Sequence, residues 1–311
     1  MKGHGKKGSV KRKKTWRIFG LVACMSMSMV FGGCTKKDVV RVAVSEEQHV
    51  QIFAELFCQL AKEKDIPCET RKTQSGIANI HPALENDSLQ VGLEYTQTAW
   101  SNILQKHTTY RPNDLTELQR EYQKRNLYWC NLPRVEDAYS LAVSQETAKK
   151  YDLQTLSDLA KVSEALVIGA PTLFFEEADA YPLIKESYGM SFKTTVNISE
   201  QDVASNILGQ KVDVVSAHSL DGGMRAADLV VLEDDLNVGV VATVGVVISK
   251  PAMMAHPQLN VVAQEIGRIL TSEQLADLSQ DVLNGVLNGV STPEEIARQL
   301  LIENDLIEPK N

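Results

Sequence analysis

The sequence lacks the short motifs that identify the common classes of enzymes and metal-binding proteins. It contains no C-x-x-C or H-E-x-x-H pair, no zinc-spaced His and Cys cluster, no G-x-S-x-G and no glycine-rich phosphate loop. We therefore expect no metal and no cofactor. An enzyme, for example a hydrolase using Ser, Cys or His, is the least favoured class.

Positive charge is scarce outside the first 17 residues. That stretch carries eight Lys or Arg residues and no acid. Removal of residues 1–33 takes away eight of the 32 basic residues and none of the 40 acidic ones, which leaves a formal net charge of −16. Nucleic acids and anionic lipids both require a basic surface on their partner. We therefore expect neither of them as a partner.

Long apolar runs are absent after the N-terminal region. Residues 18–31 are mostly apolar but too short for a permanent membrane span, and the basic head before them is typical of a secretory signal at residues 1–33. The C-terminal end of this signal, Phe31-Gly32-Gly33-Cys34, resembles a bacterial lipobox, which implies lipidation of Cys34. We expect a chain secreted across the cytoplasmic membrane and held in the periplasm or at the cell surface by that anchor alone. The alternative is an ordinary signal with a chance cysteine.

Cysteine is also rare, with five residues in the whole chain. Beyond Cys34 the mature chain has Cys58, Cys68 and Cys130, and an odd number leaves at least one free thiol. Cys58 lies in a predicted helix and Cys68 near the strand that follows it. Two alternatives remain open: the two cysteines form a disulfide, or they are buried free thiols.

Strands alternate with helices along the mature chain, which is typical of mainly parallel sheets covered on both faces. About 278 mature residues exceed one ordinary domain, so we predict two lobes. Lobe 1 is predicted to comprise residues 34–138 plus 240–311, and lobe 2 residues 139–239. An apolar strand over Val240–Ile248 returns the chain to lobe 1. A cleft between lobes is a common ligand site, and it closes by hinge motion.

Two helix starts carry capping signals. Ser45 followed by Gln48 predicts a capping box for the first mature helix, and Thr292 followed by Glu295 predicts another near the C-terminus.

Aromatic residues make up only 6% of the chain, yet four rings stand next to predicted strand or helix ends. They are Tyr95, Tyr139, Tyr181 and His218. A quaternary ammonium group cannot donate a hydrogen bond through its nitrogen, so proteins bind it with the faces of aromatic rings. In a secreted chain without catalytic motifs, these rings predict an aromatic box for a cationic ligand.

Five segments of the chain, taken in order, carry a family resemblance. They are Glu94–Thr98, Tyr151–Leu153 through Ser157–Leu159, Asp179–Pro182, Val212–Val215 leading to Asp221-Gly222, and Asp228–Asp235. Together they resemble the substrate-binding proteins of ABC importers for glycine betaine, choline and carnitine, and the resemblance extends from Val39 to about Leu306.

This resemblance implies an α/β, two-lobed periplasmic-binding-protein fold (type II, Venus flytrap) with mainly parallel sheets and two crossing strands. It also implies a monomer that delivers its solute to an ABC permease in the membrane.

The resemblance places the four cage rings at Tyr95, Tyr139, Tyr181 and His218, and the polar contacts to the other end of the ligand at Gln48 and Thr98. Structural alternatives stay open for each: core packing for the tyrosines, an exposed loop for His218, helix capping for Gln48 and a turn for Thr98. Asp137 either pairs with the ligand cation or holds a local turn.

The chain departs from the family pattern at His218, where a tyrosine is usual. A protonated imidazole repels a quaternary ammonium, and histidine changes charge between pH 5 and 8, so we expect tighter binding at about pH 7.5 than at about pH 5.5. The neutral Thr98 tolerates a carboxylate, which favours glycine betaine or carnitine over choline alone. Two alternatives remain open. The same fold could bind another zwitterion or an amino acid, or the chain could be a surface lipoprotein without a transport role.

Overall fold

A computed structural model describes Met1 and residues 39–73, 77–177, 180–199, 202–220, 222–288 and 292–309. The predicted signal, Cys34, Asp179 and Asp221 lie outside these residues. So do residues 74–76, whose sequence Gln-Ser-Gly predicts a turn. Within the described ranges, no helix is long and apolar enough to cross a lipid bilayer.

From Val40 onwards, the fold begins with three parallel strands connected by helices. These elements are β1 (Val40–Val44), α1 (Gln48–Glu63), β2 (Cys68–Lys72), α2 (Ile77–Glu85) and β3 (Val91–Tyr95). A short helix α3 (Thr96–Thr98) continues into a π-helical turn at Ala99–Ile103, and a 3₁₀ turn at Pro112–Asp114 precedes α4 (Leu115–Lys124).

A strand of 17 residues, β4 (Leu127–Val143), then leads into the second half of the fold. The elements that follow are α5 (Gln145–Tyr151), α6 (Leu156–Ala160), a 3₁₀ turn at Ser163–Ala165, β5 (Val167–Ala170), α7 (Thr172–Glu176), α8 (Tyr181–Tyr188), β6 (Thr194–Asn197), α9 (Val203–Leu208), β7 (Val214–His218), α10 (Gly222–Ala226) and β8 (Val230–Val231). Strand β9 (Val241–Ser249) and the helices α11 (Lys250–Ala255), α12 (Leu259–Ile269), α13 (Ser272–Asn288) and α14 (Pro293–Glu303) complete the chain.

The strands are ordered β2-β1-β3-β9-β4-β7-β5-β6, with β8 beside β4. Pairing is parallel towards both ends of this order and antiparallel at β4 and β9, the two strands that cross between the halves. The register of β4 with β9 shifts between Leu132 and Glu136. The sequence pattern predicts the return strand β9, whereas within β4 it predicts a strand only over Ser140–Val143.

Each half buries apolar side chains on both faces of its strands, because successive residues of a strand point to opposite faces. In β1, Val40 and Val42 join the core that packs on α1, whereas Ala43 joins the core that contains Tyr122. In β4, Leu141 and Val143 face a core with Phe174 and Tyr181, and Ala142 faces a smaller one.

The capping signals have different outcomes. The box at Thr292 is confirmed, since its hydroxyl accepts from the Glu295 amide and the Glu295 carboxylate accepts from the Thr292 amide. The box at Ser45 and Gln48 is wrong: α1 begins at Gln48, its N-cap is Glu47, and no side chain caps it. The helix begins two residues later than that box requires, so Ser45 is too far from the first turn to cap it.

The open question of the cysteines is settled by a disulfide between Cys58 in α1 and Cys68 in β2. Cys130 of β4 is a free, half-buried thiol.

Candidate functional site

The crossing strand β4 brings two predicted site residues beside the end of β7. Tyr139 pairs directly with His218, the last residue of β7, and the two ring centroids are 4.0 Å apart. His218 is therefore part of a strand and not of an exposed loop. The carboxyl ends of strands in an α/β fold commonly line a ligand crevice, which is where this pair lies.

Further rings extend from Tyr139 into the second half. Phe174 of α7 contacts Tyr139 at 5.2 Å and Tyr181 at 6.0 Å between centroids, so it stands between these two tyrosines. Tyr181 is buried and packs on Phe175 and Phe192. Phe174 was missed by the sequence reasoning, since a Phe-Phe pair in a helix is more simply explained as core.

The opposite side of the site is built from α1 and β3. Tyr95, at the end of β3, forms a 2.6 Å hydrogen bond through its hydroxyl with Nε2 of His49, in the first turn of α1. The two rings meet edge to face. His49 is buried, and the sequence reasoning did not single it out. Nothing in its spacing distinguishes it from a helix residue of the core.

Asp137 lies two residues before Tyr139 and is buried. Its carboxylate is 2.9 Å from Nδ1 of His218 and accepts hydrogen bonds from the Ser219 hydroxyl and the Leu220 amide. It thus holds the turn after β7 as well as the His218 ring. Burial by itself would raise the pKa of Asp137, but His218, His49 and the Ser219 hydroxyl lower it to about 2, so the carboxylate is ionised at neutral pH.

His49 connects the two sides electrostatically. Burial, with a smaller contribution from His218, lowers the pKa of His49 from 6.5 to about 4, although the charge of Asp137 acts in the opposite direction. The imidazole that holds Tyr95 is therefore neutral at physiological pH. Tyr95, His49, Asp137, His218 and Tyr139 form one connected group, which we call the ring-and-carboxylate site.

The two predicted polar contacts lie on the first-half side of this site. Gln48 is the first residue of α1 and Thr98 is the last residue of α3. Both are half-buried, and neither side chain forms a hydrogen bond with another residue that the structure describes. They remain available to a ligand.

The motif around Tyr95 is largely structural. Glu94 is fully buried and hydrogen-bonded to His81 and Tyr122. Thr96 accepts from the Thr243 amide of β9, and Gln97 accepts from the Tyr110 amide. These contacts fix the end of β3 and leave Tyr95 and Thr98 as the half-exposed members of the motif.

Other segments that carried the family resemblance also have structural roles. Asp158 completes a capping box with Thr155 at the start of α6. Asp213 accepts from the Val167 amide, and Asp234 accepts from the Tyr188 hydroxyl and the Gly239 amide. Asp234 thereby shapes the loop that leads into β9. The described residues contain no group of three or more His, Cys, Asp or Glu arranged to hold a metal ion.

Comparisons with known proteins agree with this architecture. Residues 38–303 match the family model described as the substrate-binding domain of ABC-type glycine betaine transport systems. The ergothioneine transport permease/ergothioneine binding protein EgtU of Helicobacter pylori is 31% identical over 79% of this chain, which spans only 44% of that protein. The carnitine transport binding protein OpuCC of Listeria monocytogenes is 23% identical over 96% of this chain and 100% of its own length.

A crystal structure of a glycine betaine/carnitine/choline ABC transporter protein superposes with a TM-score of 0.70. It is 22% identical, and the match covers 86% of this chain and all of that one. This similarity shows the predicted α/β, two-lobed periplasmic-binding-protein fold.

Proposed function

Because the chain belongs to the family of substrate-binding domains of ABC-type glycine betaine transport systems, we propose that it binds a quaternary ammonium solute at the ring-and-carboxylate site and delivers it to an ABC permease. The family consists of extracytoplasmic substrate-binding proteins of importers for betaine-type solutes. For this chain we propose the ligand and the residues that bind it, and we propose that the protein binds the solute without catalysing a reaction.

The observation that supports this proposal best is the buried anion Asp137 beside the faces of aromatic rings. Among the described residues, no Lys or Arg forms an ion pair with Asp137; its partners are His218, Ser219 and a backbone amide. Each ring face stabilises a bound methylated cation by about 0.5–2 kcal/mol. A buried carboxylate beside those rings adds an electrostatic attraction that water does not screen fully.

We assign the ring faces to Tyr95, Tyr139 and His218, with Phe174 and Tyr181 behind Tyr139. Gln48 and Thr98 supply neutral hydrogen-bonding groups for the rest of the ligand. Three ring contacts with a polar clamp are enough for micromolar affinity, about −8 kcal/mol. Glycine betaine, carnitine and choline all carry the required cation.

A second candidate ligand is ergothioneine. The relative with 31% identity is named for ergothioneine, whereas the relative named for carnitine is 23% identical. Ergothioneine is itself a trimethylated amino acid betaine, so the same rings and carboxylate suit its cationic end.

Calorimetric titration at about pH 7.5 tests the proposal. The mature chain is refolded first to remove any ligand retained from expression, and it is titrated with glycine betaine, carnitine, choline, ergothioneine and proline. We expect saturable binding of at least one quaternary ammonium compound and none of proline. Failure to bind any of the four would refute the proposed ligand class.

Variants of Tyr95 assign the binding to this site. Tyr95→Ala removes a ring face and is expected to weaken binding by about tenfold or more, whereas Tyr95→Phe keeps the face and loses the hydroxyl that bonds His49. The matched control is Tyr128→Ala, a half-buried tyrosine that pairs with Ile248 at the far end of β4. Equal losses in Tyr95→Ala and Tyr128→Ala would show that the site lies elsewhere.

We also propose that Cys34 is lipidated and that the chain acts as a monomer. Detergent partitioning of the full chain and of Cys34→Ala tests the anchor, since only the chain that retains Cys34 can be lipidated and partition into detergent. A Cys34→Ala chain that still partitions would refute it. Co-purification with a permease would support the transport role over a surface lipoprotein without one.

A further inference from the structure

The two halves of the fold also meet through a pair of polar side chains outside the sheet. Nδ2 of Asn102, in the π-helical turn that follows α3, lies 3.4 Å from Oε1 of Glu177, the residue directly after α7, and donates a hydrogen bond to it. Strands β3 and β5, which precede these two segments, lie on opposite sides of the crossing strands β9 and β4. The contact therefore joins the two halves at a place where no strand connects them.

The Asn102 amide is oriented for this contact by its own segment. Its Oδ1 atom lies 3.1 Å from the Ser101 hydroxyl, which can donate to it, and its Nδ2 group is directed to Glu177. An amide nitrogen only donates and a carboxylate only accepts, so the two groups are chemically matched. The turn that presents Asn102, Ala99–Ile103, is π-helical. Such turns are rare in proteins and occur frequently at functional sites.

Each member of this pair lies about one helical turn beyond a residue assigned to the solute site. Thr98, a proposed polar contact, is four positions before Asn102 in the helical segment 96–103, so the two share one side of that segment. Phe174, which packs on Tyr139 of the ring-and-carboxylate site, is three positions before Glu177. The same two segments that bring Thr98 and Phe174 to the site therefore bring Asn102 and Glu177 into contact beside it.

We propose that Asn102 and Glu177 form a latch that holds the two halves together while a solute occupies the ring-and-carboxylate site, and that the latch limits how fast the solute leaves. The proposal rests on the proposed function, because it takes the solute to be bound at that site. Asn102 is exposed and Glu177 is half-buried, so water competes for their hydrogen bond. A latch of this kind delays opening without preventing it. Because it binds no part of the solute, it retains carnitine and choline alike.

Stopped-flow tryptophan fluorescence of the mature chain with carnitine and with choline measures the rate constants that test the latch. Asn102→Ala and Glu177→Ala should each raise the dissociation rate constant of both ligands about 3- to 10-fold. The association rate constant should change less than about twofold, since losses of this kind act mainly on dissociation. The double variant should dissociate no faster than either single variant, because the two residues act through one contact.

Charged substitutions at Asn102 give a second test of the same contact. Asn102→Lys places a cation opposite Glu177 and should restrict dissociation to the wild-type rate or below, whereas the same substitution combined with Glu177→Ala should not. Asn102→Glu brings two carboxylates together and should raise the dissociation rate more than Asn102→Ala does. The matched control is Glu146→Ala. The Glu146 carboxylate accepts from the Gln210 amide, also at 3.4 Å, but both residues belong to the second half, so neither rate constant should change.

Three outcomes would overturn the latch. Additive effects of Asn102→Ala and Glu177→Ala would show that the two residues act separately, for example through attraction of the ligand cation by Glu177 alone. Dissociation rates that stay unchanged in both single variants would remove the latch and leave the ring site intact. Absence of carnitine and choline binding in the wild type would overturn the proposed function, and the latch together with it.

Discussion

Acidification between pH 7.5 and pH 5 should destabilise this protein through one residue, His49. Its pKa is lowered from 6.5 to about 4 because burial disfavours the charged imidazole. Between these two values the unfolded chain binds a proton that the folded chain does not. The contribution of the neutral His49 to the free energy of unfolding is therefore fully present above pH 6.5, and it is lost as the pH falls towards 4.

The size of the effect follows from the two pKa values. At pH 5 the unfolded imidazole is almost fully protonated and the folded one is mostly neutral, so the loss relative to pH 7.5 is about 2 kcal/mol. His49→Gln cannot take up a proton, and its amide can still bond the Tyr95 hydroxyl. We expect this variant to lose about 2 kcal/mol less than the wild type over the same interval.

The assay is urea unfolding followed by tryptophan fluorescence at both pH values, in wild type, His49→Gln and His81→Gln. His81 is the matched control, because hydrogen bonds and charges from Glu94 and Glu85 outweigh burial and raise its pKa. That group stabilises the fold below pH 6.5 and loses its contribution as the pH rises through its folded pKa. His81→Gln should therefore increase the loss on acidification. Equal losses in wild type and His49→Gln would refute the assignment to His49.

Three further predictions concern the site and the disulfide. Asp137→Asn removes a buried negative charge beside the proposed cation site, so the Kd for choline should rise about tenfold; an unchanged Kd in calorimetry would contradict this. Quaternary ammonium binding should weaken from pH 7.5 to pH 5.5 in the wild type, because a protonated imidazole repels the cation, and His218→Phe should reduce that dependence. The same pH profile in His218→Phe would show that His218 is not responsible. Reduction of the disulfide between Cys58 and Cys68, 10 positions apart, should lower the unfolding free energy by about 3 kcal/mol in denaturation with and without dithiothreitol; Cys130→Ser should respond like the wild type, and equal stability in both conditions would contradict the prediction.

Local patterns predicted most elements of this fold because their causes are local. The sequence pattern predicts a helix near Tyr181 to Tyr188, and α8 spans Tyr181–Tyr188. The capping box at Thr292 also forms as its spacing indicates. Strand β4 was largely missed, since Asn131-Leu132-Pro133-Arg134 has no simple alternation. Its pairing with β9 and the bulge before Glu136 depend on a partner more than 100 residues away.

The alternating α/β plan can be read from the order of amino acids, because strand, helix and capping signals act between near neighbours; the family and its rings follow from the motifs in that order. The contacts of His49 with Tyr95 and of Asp137 with His218, and the position of Phe174 between Tyr139 and Tyr181, arise only in the folded chain. The fold also buries Ser45 just before α1, with no hydrogen-bond partner for its hydroxyl among the described residues. These relations join α1, β3, β4, β7 and α7, which are distant in the chain, and no periodicity of one segment encodes which side chain of another it will meet.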